Sequence, residues 1–355
     1  MPPDTPADTT APVRRGGPPD AGPVGLVLPT FPQSDAAPLG ASQLSELCTQ
    51  AEATGATSLW SCDHLFWHGP SMEAFMALAV AATATRGATF GSCVLQLPIR
   101  HLPSVAKQAA SLSQLSGGRF VLGVGVGAHA GEYAAAGACF AGRGRALDLG
   151  IDALRSAWMP SSERYALLPN PPRIPIWIGG ASEAALRRAA ARGDGWIPLF
   201  VTPEEYAAAH ARLDKEAERS GRDPADVTRA VVVFVSLGGD DALDRGLSWM
   251  SSLYGLPERS FARHLIAGDA RACARALARF ADAGVEHVAV FVASDAPLVQ
   301  FADLAGEYAA LRALSRVDVP GREGQPSVRE RPNGHSAPAP LPRPSLTAGP
   351  NRVRK

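Results

Sequence analysis

The chain has 355 residues, of which 46% are hydrophobic, so it is long enough to build one large domain with a sizeable core. Its 34 Lys and Arg residues balance its 34 Asp and Glu residues, which disfavours nucleic acid or an acidic membrane surface as a partner. Five dispersed cysteines without CxxC spacing, and no apolar run long enough to cross a bilayer, favour a cytoplasmic protein without a disulfide framework or zinc site.

Two terminal segments have almost no apolar residues to bury. Residues 1–23 are rich in Pro, Thr, Asp and Gly, and residues 316–355 repeat this composition, so we predict that both segments are disordered. Residues 24–315 contain no linker-like break between them. This pattern predicts a single folded domain.

Apolar strands and amphipathic helices alternate along that domain. In chain order, the predicted strands are Val24–Pro29, Thr57–Ser61, Ala88–Leu97, Arg119–Gly127, Ile174–Ile178, Gly195–Phe200, Arg229–Leu237 and Glu286–Val292. The predicted helices are Ser42–Thr54, Met72–Thr85, Pro103–Leu115, Gly142–Trp158, Ser182–Arg192, Pro203–Arg219, Arg271–Ala283 and Ala296–Leu314. Residues 240–267 are less regular, and we assign no helix or strand to them. Eight near-continuous apolar strands indicate an α/β fold with a parallel sheet buried on both faces, so we predict a (β/α)₈ TIM barrel rather than an open doubly wound sheet.

The active site of a TIM barrel lies at the C-terminal ends of its strands, where this sequence has an Asp–His pair. Asp63 and His64 follow the second strand, and a histidine there can exchange a proton during hydride transfer. The alternative is a histidine that is merely hydrogen-bonded in a loop. His64 and His68 are four residues apart, but the following Gly69–Pro70 disfavours a helix and no Glu stands between them as in HExxH. We therefore predict no metal site.

Two glycine-rich strand ends are further candidates. Gly125 and Gly127 alternate at the end of the fourth strand, which leaves room either for a flat ring or for close packing inside the barrel. The Rossmann fingerprint is incomplete there. Gly179 and Gly180 precede Ser182, which opens a helix, so converging backbone amides predict a phosphate site. The alternative is an ordinary turn in which Ser182 is the helix N-cap.

Five stretches of the chain together resemble the luciferase-like monooxygenase family, whose members bind flavin or deazaflavin in a (β/α)₈ barrel. Within the family they are similar to the branch that uses the deazaflavin coenzyme F420. The stretches are WSCDHL (60–65), residues 98–127 with LSGGRFVLGVGVG at their end, IPIWIGGAS (174–182), GDGWIP (193–198) and residues 268–291. The resemblance covers residues 24–314.

The resemblance implies a role for particular residues. Cys93–Val94 matches a non-prolyl cis peptide in a bulge that supports the cofactor ring, and His64, beside Asp63, matches the active-site histidine. The residues that it places against the ring, the ribityl chain or the phosphate are Gly125, Gly127, Ala128, Gly179, Gly180, Ala181 and Ser182. Glu132 fits a common acidic residue of the loop after the fourth strand, and we expect it to assist His64.

We therefore expect an F420-dependent oxidoreductase that transfers hydride between the deazaflavin and a small organic substrate. The alternative is an FMN-dependent monooxygenase that uses oxygen, followed by a non-redox metal-dependent hydrolase or a ligand-binding barrel. The resemblance also implies a homodimer. Ala128 replaces a common aromatic residue, Leu149 replaces a common Glu and the segment 159–173 is short, and we expect these departures to affect the substrate mouth more than the cofactor bed.

Overall fold

The computed structural model describes residues 24–31, 39–161, 166–168 and 170–317. The predicted disordered segment 1–23 and residues 318–355 of the second one lie outside the described residues. The described residues up to Arg316 belong to one compact unit. None of its helices combines the length and the apolar character that crossing a bilayer needs, within the part of the chain that the structure describes.

The described residues alternate between parallel strands and helices. The strands are β1 (Val24–Val27), β2 (Ser58–Ser61), β3 (Thr89–Ser92), β4 (Leu95–Gln96), β5 (Phe120–Gly125), β6 (Ile176–Gly179), β7 (Gly195–Ile197), β8 (Thr228–Leu237), β9 (Leu265–Gly268) and β10 (His287–Val292). The helices are α1 (Ala41–Ala53), α2 (Ala74–Ala84), α3 (Leu102–Leu115), α4 (Ala130–Ala135), α5 (Arg143–Ala157), α6 (Glu183–Arg192), α7 (Pro203–Arg219), α8 (Ala242–Tyr254), α9 (Ala270–Asp282) and α10 (Pro297–Val317).

The sheet closes into a barrel of eight positions, which confirms the predicted fold. Neighbours follow chain order from β1 to β8, with β3 and β4 forming one interrupted position, and β10 pairs with both β8 and β1 to close the ring. β9 pairs only with the C-terminal half of β8, from Phe234 to Leu237. Because β10 occupies one edge of β8 along most of its length, β9 must share the other edge with β7.

The structure differs from the sequence predictions in three places. Residues 240–267, to which we assigned no helix or strand, contain α8 and most of β9. The pattern is weak because Leu247, Met250 and Leu253 give α8 a narrow buried face among many small or polar residues. The short helix α4 was not predicted. The strand predicted at Ala88–Leu97 is interrupted after Ser92, where the Cys93–Val94 peptide bond is cis.

Aromatic side chains fill the N-terminal end of the barrel. The rings of Trp60 and Trp177 stack with centroids 5.1 Å apart, and Nε2 of the buried His287 lies 2.7 Å from the Ser58 hydroxyl. Gly195 makes room for this cluster, since a Cβ atom there would lie 2.5 Å from Trp177. With this end filled, the open space of the barrel lies at the C-terminal ends of the strands.

Candidate functional site

A cavity of about 360 Å³ opens at the C-terminal ends of the strands. The predicted site residues that line it are Asp63, His64, Cys93, Val94, Gly125, Gly127, Ala128, Gly179 and Gly180. The imidazole and the glycine corner of β6 therefore border the same space. Ala181 and Ser182 are exposed at the start of α6 and are not part of this lining. The Ser182 hydroxyl accepts a hydrogen bond from the Ala185 amide at 3.2 Å, so it caps the helix.

His64 and Glu132 form the polar centre of the cavity. Nδ1 of His64 lies 2.9 Å from Oε2 of Glu132, whose side chain is almost completely buried. The other carboxylate oxygen of Glu132 accepts hydrogen bonds from the amides of Leu65 and Phe66 at 2.6 and 3.2 Å. The carboxylate therefore holds both the imidazole and the loop that carries it.

The protonation states of this pair follow from their surroundings. Burial raises the pKa of Glu132, but hydrogen bonds from Gln96, His64 and Phe66 outweigh it, so the pKa lies below its ordinary value. Burial lowers the pKa of His64, and Glu132 only partly opposes this effect. Near neutral pH, a neutral imidazole beside a carboxylate must donate from Nδ1, because the carboxylate can only accept. Nε2 is then an unprotonated base. Nδ1, with its proton directed at Glu132, has no lone pair left for the Gln96 amide group, which contacts it at 3.0 Å.

Gln96, at the end of β4, joins the parts of the site, although the sequence assigned it no role. Its Nε2 lies 2.9 Å from Oε2 of Glu132, 3.0 Å from Nδ1 of His64 and 3.1 Å from the Asp63 carbonyl oxygen. Its Oε1 is buried and has no hydrogen-bond partner among the described residues. A buried acceptor left unpaired in a cavity wall is suited to a ligand N–H group.

Asp63 links Gln96 to Arg100 and so stabilises the loops of the site. Its carboxylate accepts a hydrogen bond from the Gln96 amide at 2.9 Å and pairs with Arg100, which also binds Glu73 at 3.0 Å. Burial raises the pKa of Asp63 to about 6, against the lowering effect of Arg100 and of the Gln96 amide. Asp63 therefore remains mainly ionised at pH 7. Arg100 therefore serves this buried ion pair.

The glycines of β5 and β6 make room for the bulge between β3 and β4. The cis peptide that the resemblance implied is present at Cys93–Val94. A Cβ atom at Gly125 would lie 2.6 Å from a Val94 methyl carbon, and one at Gly179 would lie 2.9 Å from both. At Gly127, where φ is +70°, it would lie 2.0 Å from Oε1 of Gln96. Close packing therefore explains these glycines, while their backbone still borders the cavity.

Aromatic side chains that the sequence did not identify as a group form much of the remaining wall. They are Phe31, Trp67, Phe200, Tyr254 and Phe291, together with His129. The ring of Trp67 lies over His64 with centroids 4.0 Å apart. Because Trp67 lies three residues after His64, the sequence alone could have placed it in the cavity wall. Tyr254 could not be found in this way, because it comes from α8, which was not predicted.

The remaining sequence candidates lie away from this centre. His68 is exposed, and its Nε2 lies 3.5 Å from the Ser252 carbonyl oxygen. No group of three His, Cys, Asp or Glu residues suited to a metal ion occurs in the described part of the chain. Leu149 is exposed on α5, so its departure from the family pattern does not alter the cavity, whereas Ala128 is part of the lining.

Comparison with known proteins adds to this geometry. The family model described as luciferase-like monooxygenase matches residues 23–245. An uncharacterized protein of Mycobacterium tuberculosis is 37% identical over 164 residues, which are 43% of this chain and 57% of that protein. The chain thus spans little more than half the length of this relative. An F420-dependent hydroxymycolic acid dehydrogenase of the same organism is 28% identical over 277 residues, which are 71% of this chain and 76% of that protein.

Among solved structures, an F420-dependent secondary alcohol dehydrogenase in complex with an F420-acetone adduct superposes with a TM-score of 0.72. The superposition covers 82% of this chain and 99% of that one, at 18% sequence identity. At this identity the similarity concerns the fold.

Proposed function

The chain belongs to the luciferase-like monooxygenase family, and from this premise we propose that it is an oxidoreductase that binds coenzyme F420 and acts on a small organic alcohol or carbonyl compound. One observation carries the proposal: a histidine oriented by a buried carboxylate borders the same cavity as the Gly179–Gly180 corner. The Asp63–His64 pair and the F420-dependent dehydrogenase that is 28% identical to this chain support the deazaflavin over FMN.

The residues of the cavity fit a planar ring with an anionic tail. Val94 and the backbone of Gly125 pack against each other and border the cavity, and the unpaired Oε1 of Gln96 offers an acceptor to a ring N–H group. At the corner after β6, Gly180 has a φ of +98°, which lets the chain turn into α6. Apart from the Ala185 amide, which Ser182 already engages, the amides of the first turn of α6 would hold a phosphate, which the positive end of the helix favours.

His64 would act on the proton of the substrate. With Nδ1 donating to Glu132, the lone pair of Nε2 accepts the hydroxyl proton as an alcohol is oxidised, and the imidazolium returns a proton to oxygen in the reverse direction. Glu132 stabilises the imidazolium by its charge at 2.9 Å. Bound F420 would supply the carbon centre that accepts or donates the hydride. Trp67, whose ring is tilted by 35° against that of His64 at 4.0 Å, limits the movement of the imidazole and shields it from water on that side.

The aromatic wall of the cavity also supports a second candidate, an FMN-dependent monooxygenase. Phe31, Phe200 and Phe291 make the cavity largely apolar, and oxygen chemistry on a reduced flavin requires the exclusion of water. Against this candidate, an oxygenase does not need the His64–Glu132 pair as a proton carrier on an alcohol. The two candidates therefore differ in the cofactor that they bind.

Titration of the purified full-length protein with F420 and, separately, with FMN tests the proposal. We expect saturable F420 binding by fluorescence, much weaker FMN binding, and weaker binding of the deazaflavin that lacks the phosphate-bearing tail. Tight FMN binding without F420 binding would establish the alternative. Binding of neither, together with a stoichiometric metal by elemental analysis, would replace both with a metal-dependent hydrolase.

A further inference from the structure

Two cysteines face each other in the wall of the cavity, and the proposed function uses neither thiol. Sγ of Cys62 lies 3.8 Å from Sγ of Cys93. Cys62 is partly exposed and Cys93 is buried, and both line the cavity. Among the described hydrogen bonds, this is the contact that joins two thiols.

The barrel places these two thiols side by side through its strand register. Ser61 of β2 is paired with Ser92 of β3, and the Cys93 amide donates to the Ser61 carbonyl oxygen at 2.8 Å. Cys62 directly follows Ser61 at the end of β2, and Cys93 directly follows Ser92 at the end of β3. Neighbouring strands lie about 4.8 Å apart, which is within the Cα–Cα range of about 4.4–6.8 Å that disulfides span. The two sulfur atoms can therefore bond after a small side-chain movement.

The other cysteines of the chain lack this arrangement. Burial raises the pKa of Cys48 to about 12 and that of Cys273 to about 11, so both are poor nucleophiles near neutral pH. Cys139 is exposed in the segment between α4 and α5. Within the cavity, the contact with Cys62 and burial both raise the pKa of Cys93, which leaves the more accessible Cys62 to react first.

We propose that Cys62 and Cys93 form a thiol-oxidation site, which hydroperoxides convert into a reversible disulfide within the cavity wall. The Cys62 thiolate attacks one oxygen of the hydroperoxide, the O–O bond breaks, and Cys62 becomes a sulfenic acid. The proton that the Cys62 thiol released neutralises the leaving oxygen, which departs as water or an alcohol. Cys93 then attacks that sulfur, and the sulfenic hydroxyl leaves as water with the proton of the Cys93 thiol. The two thiols lose two electrons, and the hydroperoxide gains them.

The inference does not depend on which coenzyme binds, because it needs only the two thiols and the open cavity. Forming the bond draws the sulfur atoms from 3.8 Å to about 2.05 Å. Val94 follows Cys93 directly and packs against β5 and β6, so the disulfide would change the surface that we assign to the cofactor ring.

Peroxide treatment of the reduced full-length protein, followed by mass spectrometry, tests this site. We expect the intact protein to lose the mass of two hydrogen atoms, a digest to contain one cross-linked peptide pair with Cys62 and Cys93, and dithiothreitol to restore both thiols. Cys139→Ser is the matched control, which we expect to oxidise in the same way as the parent protein.

Single substitutions separate the two steps. In Cys93→Ser, we expect Cys62 to stop at the sulfenic acid, which dimedone traps, and Cys62→Ser should leave Cys93 as a free thiol. Unchanged mass in the parent protein would refute the proposal, as would oxygen addition at Cys62 without a cross-link or a disulfide between two chains through Cys139.

Discussion

His64 and Glu132 stand 68 positions apart in the sequence, yet Nδ1 of one lies 2.9 Å from Oε2 of the other. His64 follows β2 and Glu132 lies in α4, after β5. Gln96, at the end of the intervening β4, contacts both. The neighbouring barrel positions β2, β3–β4 and β5 thus contribute one side chain each to a single hydrogen-bonded group. Because Glu132 binds Nδ1 of His64 in this group, Nε2 is the nitrogen that is free to react.

Replacing His64 tests its role as the proton carrier. We expect His64→Ala to lower the rate of hydride transfer roughly a hundredfold to ten-thousandfold, the usual contribution of a general base, while F420 binding changes little. His68→Ala is the matched control, since His68 is exposed and its ring also lies against Trp67, with centroids 4.5 Å apart. Stopped-flow measurement of deazaflavin absorbance gives both quantities. A native rate in His64→Ala would show that another group carries the proton.

Glu132→Gln tests whether the carboxylate sets the basicity of His64. The hydrogen bond and the charge of Glu132 both raise the pKa of His64 against the effect of burial. Their loss should lower this pKa further, so the acid limb of the rate profile for alcohol oxidation should move to lower pH and its plateau should fall. Measuring kcat/KM between pH 4.5 and 8 checks this. An unmoved acid limb would mean that Glu132 only holds the loop.

Gly125→Ala tests the packing of the bulge. The added Cβ would lie 2.6 Å from a Val94 methyl carbon, and we expect this overpacking to lower the free energy of unfolding by about 1–3 kcal/mol. Val94→Ala in the same chain should recover part of that loss, because it removes the opposing methyl groups. Gly131→Ala is the control, since nothing lies within 4 Å of its Cβ position. Urea unfolding gives the free energy of unfolding of each variant. If Gly125→Ala destabilised the parent protein and the Val94→Ala protein equally, the result would contradict a contact between residues 125 and 94.

His287 should make the fold sensitive to acid. Burial lowers the pKa of its imidazole to about 4 from the ordinary 6.5, so below pH 6.5 the unfolded chain binds a proton that the folded chain does not. This stability is present at pH 7 and is lost as the pH falls towards 4. Between pH 7 and pH 5, the loss is about 2 kcal/mol.

Urea unfolding of the parent protein and of His287→Gln at both pH values isolates this contribution. Asp63, whose pKa is raised, acts in the opposite direction in both proteins and cancels in the comparison. We expect the variant to show the smaller fall in unfolding free energy on acidification. Identical falls would mean that His287 is protonated, or reaches water, in the folded state.

Local patterns in the chain were enough to predict the barrel. Apolar runs such as Arg229–Leu237 and glycine stops such as Gly117–Gly118 reflect burial and backbone geometry within a few residues, and eight strands alternating with helices leave few possible topologies. Knowing the fold, one can place Asp63–His64 and Gly179–Gly180 at the same end of the barrel without coordinates, since parallel strands all end on one face.

Contacts between different strands were beyond the reach of those patterns. That Glu132 orients His64, that Gln96 lies between them, that Gly125 accommodates Val94 and that Cys62 meets Cys93 all depend on the register and curvature of neighbouring strands. Register places residues far apart in sequence within a few ångströms of each other, and no local periodicity encodes it. The amino-acid order accounts for the barrel and its reactive end, and folding in three dimensions accounts for how the side chains at that end are paired.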